Sequence, residues 1–510
     1  MKRAIVLSVS ILLLCANTFS QSSSSSNIEI LDKYVESVRN QWQVPGLSIV
    51  VVQDGKVLLS KGYGVRELGK SEPVTGETLF GAMSTTKAMT AAALGMLVDE
   101  GKLTWNDKVI KHLPAFRLGD PYITNEIRVC DLLTHNAGVG NTDFLWAWTP
   151  ELSSSEVVAR MQYANPSYSL RSSFIYQNIM YLVAGQVVEN VSGMSWERFM
   201  TERLFVPLGM KNTFPNLALS REHQNRSSAH YEIKGKIEVI PEMAADSIAP
   251  AGAVWSTSDD IAKWVNLMLG NTVVNGKELL KPATLNEILK PQVIVPMGQF
   301  YPTVALTKPH WMTYGFGWFQ HDYRGEMVNF HTGSLAGRTA IIGIMRDKKL
   351  GVYIFGNLDH AEVRHALMYK VFDLFAFNDN GRDWSTELKT LYDRLKAEGV
   401  KRTETMKSKR VTDTRPSLSV SSYAGRYSDP FYGSVEIVVV NGKLKAIFGK
   451  DLNAELSHWQ FDTFMATWNK RWQDESLFTF RISPVSGDVE SVSVSGVVLR
   501  REPEKTPTAR

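Results

Sequence analysis

The chain has 510 residues, 44% hydrophobic and 21% charged, which is long enough for more than one domain and too apolar for a chain disordered throughout. Its 56 lysines and arginines against 52 acidic residues leave a formal charge of +4, which excludes the strongly basic footprint of a nucleic-acid-binding protein. The ten histidines are scattered and no His-Glu-x-x-His or paired-cysteine spacing occurs, so no metal or other cofactor is expected.

Met1–Ser20 has a basic start (Lys2, Arg3), an apolar stretch from Ala4 to Ala16, and small or polar residues at Thr18 and Ser20. This reads as a secretory signal cleaved near Ser20, its apolar stretch too short to span a bilayer. Cys15 follows Leu14 rather than a small residue, which disfavours a lipid anchor. The mature protein is therefore expected to be exported, periplasmic or secreted, without a transmembrane segment. Loss of Lys2 and Arg3 lowers its formal charge from +4 to +2, and Cys130 remains as its single cysteine, so no internal disulfide is expected. Residues 21–27 are serine-rich and read as a flexible leader.

Ordered structure is expected from about Ile28. An opening helix to about Trp42 leads into two β-rich runs, Leu47–Gln53 and Lys56–Tyr63, about the hairpin dipeptide Asp54-Gly55. From Leu103 to about Met312 the sequence reads as helices and loops. Strand patterns return at Tyr314–Trp318 and Glu326–Phe330, then in a hairpin from Arg338 to Phe355, followed by an amphipathic helix over about Ala361–Phe377. Strands at both ends of this stretch imply one antiparallel sheet flanked by helices, with a helical half between and a cleft where the halves meet. The domain extends over 28–380. A charged helical linker over 381–417 leads to six short strand runs within 418–503: Ser434–Val440, Lys443–Phe448, Asp462–Thr467, Leu477–Ile482, Val489–Ser493 and Val497–Arg501. These read as a small closed antiparallel barrel, and 504–510 form a tail.

Chemistry concentrates first at Ser84-Thr85-Thr86-Lys87. The run Ala88–Val98 is apolar all round a helical wheel and stops at Gly101, as a fully buried helix would. Lys87 lies three residues after Ser84, on the same face of its first turn. Desolvation disfavours the ammonium form of such a lysine and makes it a base for the Ser84 hydroxyl. The competing account is an N-cap serine with Lys87 reaching outward.

Tyr176-Gln177-Asn178 precedes a second apolar run, Ile179–Val188. Alternate residues of an extended segment point the same way, so the phenol and the amide share one face. Tyr176 would exchange a proton with a leaving group if the Lys87 ammonium lowered its pKa, and Asn178 would hydrogen-bond a substrate amide. Alternatively, the pair is an aromatic anchor and a turn residue. His331-Thr332-Gly333-Ser334 closes the strand from Glu326, and its glycine allows close approach of another backbone. The N–H groups of Ser84 and Ser334 would then form an oxyanion hole. A free histidine at 331 would titrate near 6.5, although a satisfied structural histidine also fits.

In this order and separation, the three motifs resemble those of the β-lactamase-like serine hydrolases that share a fold with penicillin-binding proteins. They are most similar to the branch holding class C β-lactamases, D-aminopeptidases, alkaline D-peptidases and related esterases. Pro45-Gly46, Leu132–Gly138, Pro207–Met210 and Tyr314–Trp318 add to the likeness, which covers about Ile28–Phe377, and the tail unit resembles a lipocalin-like barrel. The resemblance implies that Ser84 is acylated, Lys87 and Tyr176 manage its proton, His331 completes the catalytic set, and Asn178, Thr332 and Gly333 bind substrate. His331 stands where β-lactamases usually carry lysine, which disfavours substrates with a carboxylate unless another cation such as Arg338 serves. His135 reads as structural. The expected activity is hydrolysis of a small amide, ester or peptide, including peptides with D-residues, through an acyl-enzyme. A β-lactamase or D-alanyl-D-alanine carboxypeptidase, and a non-turnover cell-wall ligand sensor, are the alternatives. The sequence leaves the oligomeric state open.

Overall fold

A computed structural model describes residues 26–503. The leader expected over Met1–Ser20, the start of the serine-rich stretch and the last seven residues lie outside the described residues.

Helix α1 spans residues 26–41 and buries Leu31, Val35 and Val38, the spacing of one helical face. Strands β1 (Gly46–Gln53) and β2 (Lys56–Gly64) follow as a hairpin. The helical half contributes α2 (Thr86–Asp99), α3 (Ile179–Ser192) and α4 (Ser258–Met268), each packed toward the sheet or one another. The chain then returns through β3 (Val293–Ile294), β4 (Met312–Tyr314), β5 (Phe319–Tyr323), β6 (Glu326–Leu335), β7 (Arg338–Met345) and β8 (Leu350–Gly356). These form one antiparallel sheet in the order β2-β1-β8-β7-β6-β5-β4-β3. First and last strands meet within it, with Val50 of β1 opposite Tyr353 of β8.

The two-residue period of the strands divides the core. Val50, Val52, Ile342, Ile344, Tyr353 and Phe355 face α2 and the helical half. Leu47, Ile49, Val51, Ile341, Val352 and Ile354 face α1 and α5 (Val363–Ala376) on the other side. Both faces are covered, so β1 reads as a continuous apolar run rather than an alternating one.

Three expectations change. Helix α5 is not amphipathic: every residue from Val363 to Leu374 is buried, because α6 (Trp384–Ser408) lays Trp384, Leu388 and Leu391 over its outer side. Trp384 stacks on Tyr369 with ring centroids 4.6 Å apart and donates its indole N–H to Asp373 at 2.7 Å. The stretch Tyr314–Trp318 is chiefly a turn between β4 and β5, while β6 runs to Leu335 and includes His331–Ser334 as the sequence reading expects. The helical half also contains a short hairpin, Ala229–Ile233 with Lys236–Ile240, turning at Lys234-Gly235.

The second unit is a closed eight-stranded barrel: β9 (Gly425–Asp429), β10 (Gly433–Val440), β11 (Lys443–Phe448), β12 (Leu452–Gln460), β13 (Thr463–Trp468), β14 (Ser476–Ile482), β15 (Val489–Val494) and β16 (Val497–Arg501). Pairing of Tyr427 with Arg501 closes it. Alternate side chains, among them Val435, Ile437, Leu444, Phe448, Phe478 and Leu499, fill its interior, as expected for a barrel of this size. Strands β9 and β12 went unread because Asp, Asn and Ser residues interrupt their apolar positions.

Candidate active site

Ser84 sits in a short 3-10 turn, Met83–Thr85, immediately ahead of α2. Met83 adopts φ 47°, a left-handed conformation that a non-glycine residue holds only against a steric cost of about 1–3 kcal/mol. The surroundings over-determine it. Ala82 donates to Val254 O at 2.7 Å, and Thr85 Oγ1 donates to Ala82 O at 2.8 Å.

Lys87 is fully buried, one turn along the same helical face. Its Nζ lies 3.1 Å from Ser84 Oγ, 2.6 Å from Asn178 Oδ1 and 2.8 Å from the Ala251 carbonyl oxygen. The last two groups can only accept. A neutral amine gives them its two N–H bonds and leaves its lone pair facing the Ser84 hydroxyl, which is the arrangement a base needs. Desolvation draws the ammonium down from 10.5 to about 7, and the carboxylate of Asp143 partly opposes that shift. The outward-reaching alternative for Lys87 is thereby excluded.

Tyr176 and Asn178 come to the same place, while Gln177 between them points inward to Thr142 Oγ1 and Gly140 O. Lys87 Nζ lies 4.9 Å from the centroid of the Tyr176 ring. The expectation that the ammonium lowers the phenol's pKa is corrected. Burial drives the Tyr176 pKa well above 10, and its hydrogen bond with Ser84 only moderates the rise. At neutral pH the phenol is protonated and the amine is the group that titrates.

His331 also departs from its sequence expectation. It is buried beneath Tyr176 at the end of a directional chain of hydrogen bonds. Gln177 N–H donates to His135 Nδ1 at 3.0 Å, so His135 Nε2 carries the proton shared with Tyr314 Oη at 3.1 Å. The Tyr314 hydroxyl then donates to His331 Nε2 at 2.9 Å, and His331 Nδ1 donates to the Thr332 carbonyl at 2.6 Å. Each imidazole is neutral with one tautomer. Desolvation and the nearby Lys87 push His331 down to about 3 and His135 well below 6.5. An imidazole titrating near 6.5, ready to hold a substrate carboxylate, is therefore not what stands at position 331.

Strand β6 presses on the turn that carries Ser84. A methyl group at Gly333 would lie 2.4 Å from Ala82 O and 3.1 Å from Ser84 N, so only glycine permits this approach. Its position brings the backbone of Gly333-Ser334 beside the Ser84 amide. The Thr332 hydroxyl is paired with Tyr301 Oη. Ser334 Oγ accepts from Arg364 at 2.8 Å, and the same guanidinium donates to Gly333 O at 2.5 Å while paired with Glu362. Arg338 is buried, paired with Glu242 at 2.7 Å and stacked over Trp255, and so is committed elsewhere. Tyr301, Tyr314, Arg364 and Asp143 escaped sequence reasoning as parts of this constellation. Only Tyr314 lay in a stretch already singled out.

Residues 31–373 match the family described as Beta-lactamase. The chain belongs to the Beta-lactamase family. Residues 409–507 match a domain of unknown function, DUF3471. Among curated relatives, the unguisins hydrolase of Aspergillus campestris is 28% identical, over 79% of this chain and 76% of its own. Protein flp of Staphylococcus aureus is 26% identical, over 64% of this chain and 63% of its own. A solved octameric penicillin-binding protein homologue from Pyrococcus abyssi superposes with a TM-score of 0.59 at 21% identity, covering 92% of this chain and 99% of that one. At that identity the likeness speaks for the fold, a β-lactamase-like α/β domain followed by the barrel. Family and hydrolase-named relatives together make the chain a hydrolase at family level.

Proposed function

We propose that the protein is an exported serine hydrolase that cleaves small neutral amides, esters or short peptides through an acyl-enzyme on Ser84. The observation that carries this reading is the Lys87 amine, buried, drawn down to about 7 and 3.1 Å from the Ser84 hydroxyl. Ser84 Oγ bonds to the substrate carbonyl carbon as its proton passes to Lys87 Nζ, and the carbonyl electrons move onto oxygen, which the Ser84 and Ser334 amides receive. Collapse breaks the bond to the leaving group, whose nitrogen or oxygen takes a proton from the Tyr176 phenol, which Lys87 replenishes. Water then adds to the acyl carbon as its proton passes to Lys87, and the bond to Ser84 breaks as Lys87 returns that proton to Ser84 Oγ, releasing the acid and restoring the hydroxyl. Asn178 and the backbone of Thr332–Gly333 align the substrate, and His331 acts as an uncharged support of the strand. Export rests on the Met1–Ser20 leader.

The cations named above are engaged, Arg338 with Glu242, Arg364 with Glu362 and Lys87 with Ser84, Asn178 and Ala251, which disfavours the β-lactamase and carboxypeptidase alternatives, whose substrates carry a carboxylate. The test is labelling with a fluorophosphonate, located by mass spectrometry, beside steady-state turnover of D- and L-amino-acid amides, short esters and a cephalosporin. The adduct is expected on Ser84 and absent from Ser84→Ala. Labelling elsewhere with activity intact in Ser84→Ala overturns the reading, and a single burst without turnover identifies the non-turnover sensor instead.

A further inference from the structure

The barrel touches the catalytic unit on two sides, and one of those contacts leads directly to Lys87. The segment 141–149 runs between them. Asp143 precedes the short helix Phe144–Trp148. At one end of this segment, the Asn178 side-chain amide donates to Asp143 Oδ2 at 2.8 Å while its carbonyl accepts from Lys87 at 2.6 Å. Trp146 Nε1 donates to Asp143 Oδ1 at 3.0 Å and fixes the carboxylate. At the other end, Trp148 leaves the catalytic core for the barrel's cluster, with its ring 5.0 Å from Phe448 and 6.2 Å from Tyr432. The turn carrying Phe431 and Tyr432 in exchange reaches into the catalytic core.

We propose that Asp143 is a positioning residue for Lys87, acting through the Asn178 amide, and that the barrel holds it in place through Trp148. An asparagine side chain between a carboxylate and an amine has one favourable orientation: N–H toward Asp143, carbonyl toward Lys87. Asp143 thus decides which way the amide faces and supplies a negative charge two hydrogen bonds from Nζ. The other groups around Lys87 are uncharged at neutral pH. Tyr176 and Tyr181 hold their phenolic protons, His135 and His331 are neutral, and Ser84 and the Ala251 carbonyl complete the shell. Asp143 is accordingly the charge that keeps Lys87 from falling further. The barrel, matched to a domain of unknown function, gains a task in this arrangement: it fixes the proton affinity of the catalytic base from outside the cleft.

The inference rests on the serine-hydrolase reading, and the test separates the two. The rate of Ser84 phosphonylation by a fluorophosphonate is followed between pH 5 and 9 in the full-length protein. Asp143→Asn should move the acid limb at least ~0.5 pH unit downward, since removing a nearby negative charge lowers an ammonium's pKa. Trp148→Ala should shift it the same way and lower the plateau, and Trp148→Phe, which can still pack against Phe448, should restore both. Arg471→Ala, which breaks the exposed pair with Glu238 at the barrel's other contact, should leave the profile in place. No labelling of wild type at any pH overturns the serine-hydrolase reading. Normal labelling with superimposable wild-type and Asp143→Asn profiles overturns the positioning role, even if Trp148→Ala fails to fold. An Asp143→Asn shift with an unmoved Trp148→Ala profile removes the barrel from it.

Discussion

Replacing Lys87 by methionine should flatten the stability of the protein between pH 7 and 9 relative to wild type. In the folded chain the ammonium titrates at about 7 instead of 10.5. Between those values the unfolded chain keeps a proton that the folded chain releases, so the unfolded state binds more protons and stability rises with pH. Below about 7 both states hold the proton and this slope vanishes. At about 1.36 kcal/mol per pH unit, with half the sites still protonated at about pH 7, the gain from pH 7 to 9 is roughly 2 kcal/mol. The raised Tyr176 phenol contributes only near and above 10, and the small slope from His135 and His331, neutral when folded but still partly protonated when unfolded at pH 7, is common to wild type and variant and cancels in the difference.

Urea unfolding of wild type and Lys87→Met, followed by far-UV circular dichroism at pH 7, 8 and 9 and constant ionic strength, measures the difference. The same value should appear as the acid limb of kcat/KM, with activity rising through about pH 7 as the amine loses its proton. A wild-type-minus-variant difference that stays constant within ~0.5 kcal/mol from pH 7 to 9 would refute a lowered Lys87 pKa, and with it the assignment of the base.

Three further outcomes are expected. Gly333→Ala should lose at least ~100-fold in kcat while keeping its circular dichroism, because the added methyl meets Ala82 O and separates β6 from the nucleophile turn; activity within tenfold of wild type would contradict this. Lys87→Ala and Tyr176→Phe should each cost at least ~100-fold, and the double variant should be little worse than the worse single, since the two handle one proton; additive losses would separate their roles. The kcat/KM ratio of a neutral amide over its carboxylate-bearing analogue should stay flat from pH 5 to 8, because His331 remains neutral above about 3; a sigmoid centred near 6.5 would identify a free imidazole.

What the sequence carried legibly was local. Ser84 and Lys87 share a helical turn, and Tyr176 and Asn178 alternate along an extended segment, so spacing alone placed each pair on one face. The apolar run behind Lys87 made its burial legible too. The charge state of His331 was not, because it depends on Tyr314 and His135, which arrive from other parts of the chain. Asp143, Tyr301 and Arg364 were silent for the same reason: each meets the site only through tertiary contacts. The barrel strands β9 and β12 were lost to polar interruptions, although Leu452, Ala454 and Leu456 keep the alternation in the folded protein.

The pairing of β1 with β8 sets a schedule for synthesis. Val50 on β1 cannot find its neighbour until Tyr353 on β8 has been made. At about 5–20 residues per second, the roughly 300 intervening residues occupy the ribosome for about 15–60 s. Throughout that interval Gly46–Gln53, apolar on both faces, has only β2 beside it. An unpaired edge of that kind invites intermolecular pairing, so β1 is the part of the nascent chain most exposed to misassociation until β8 emerges.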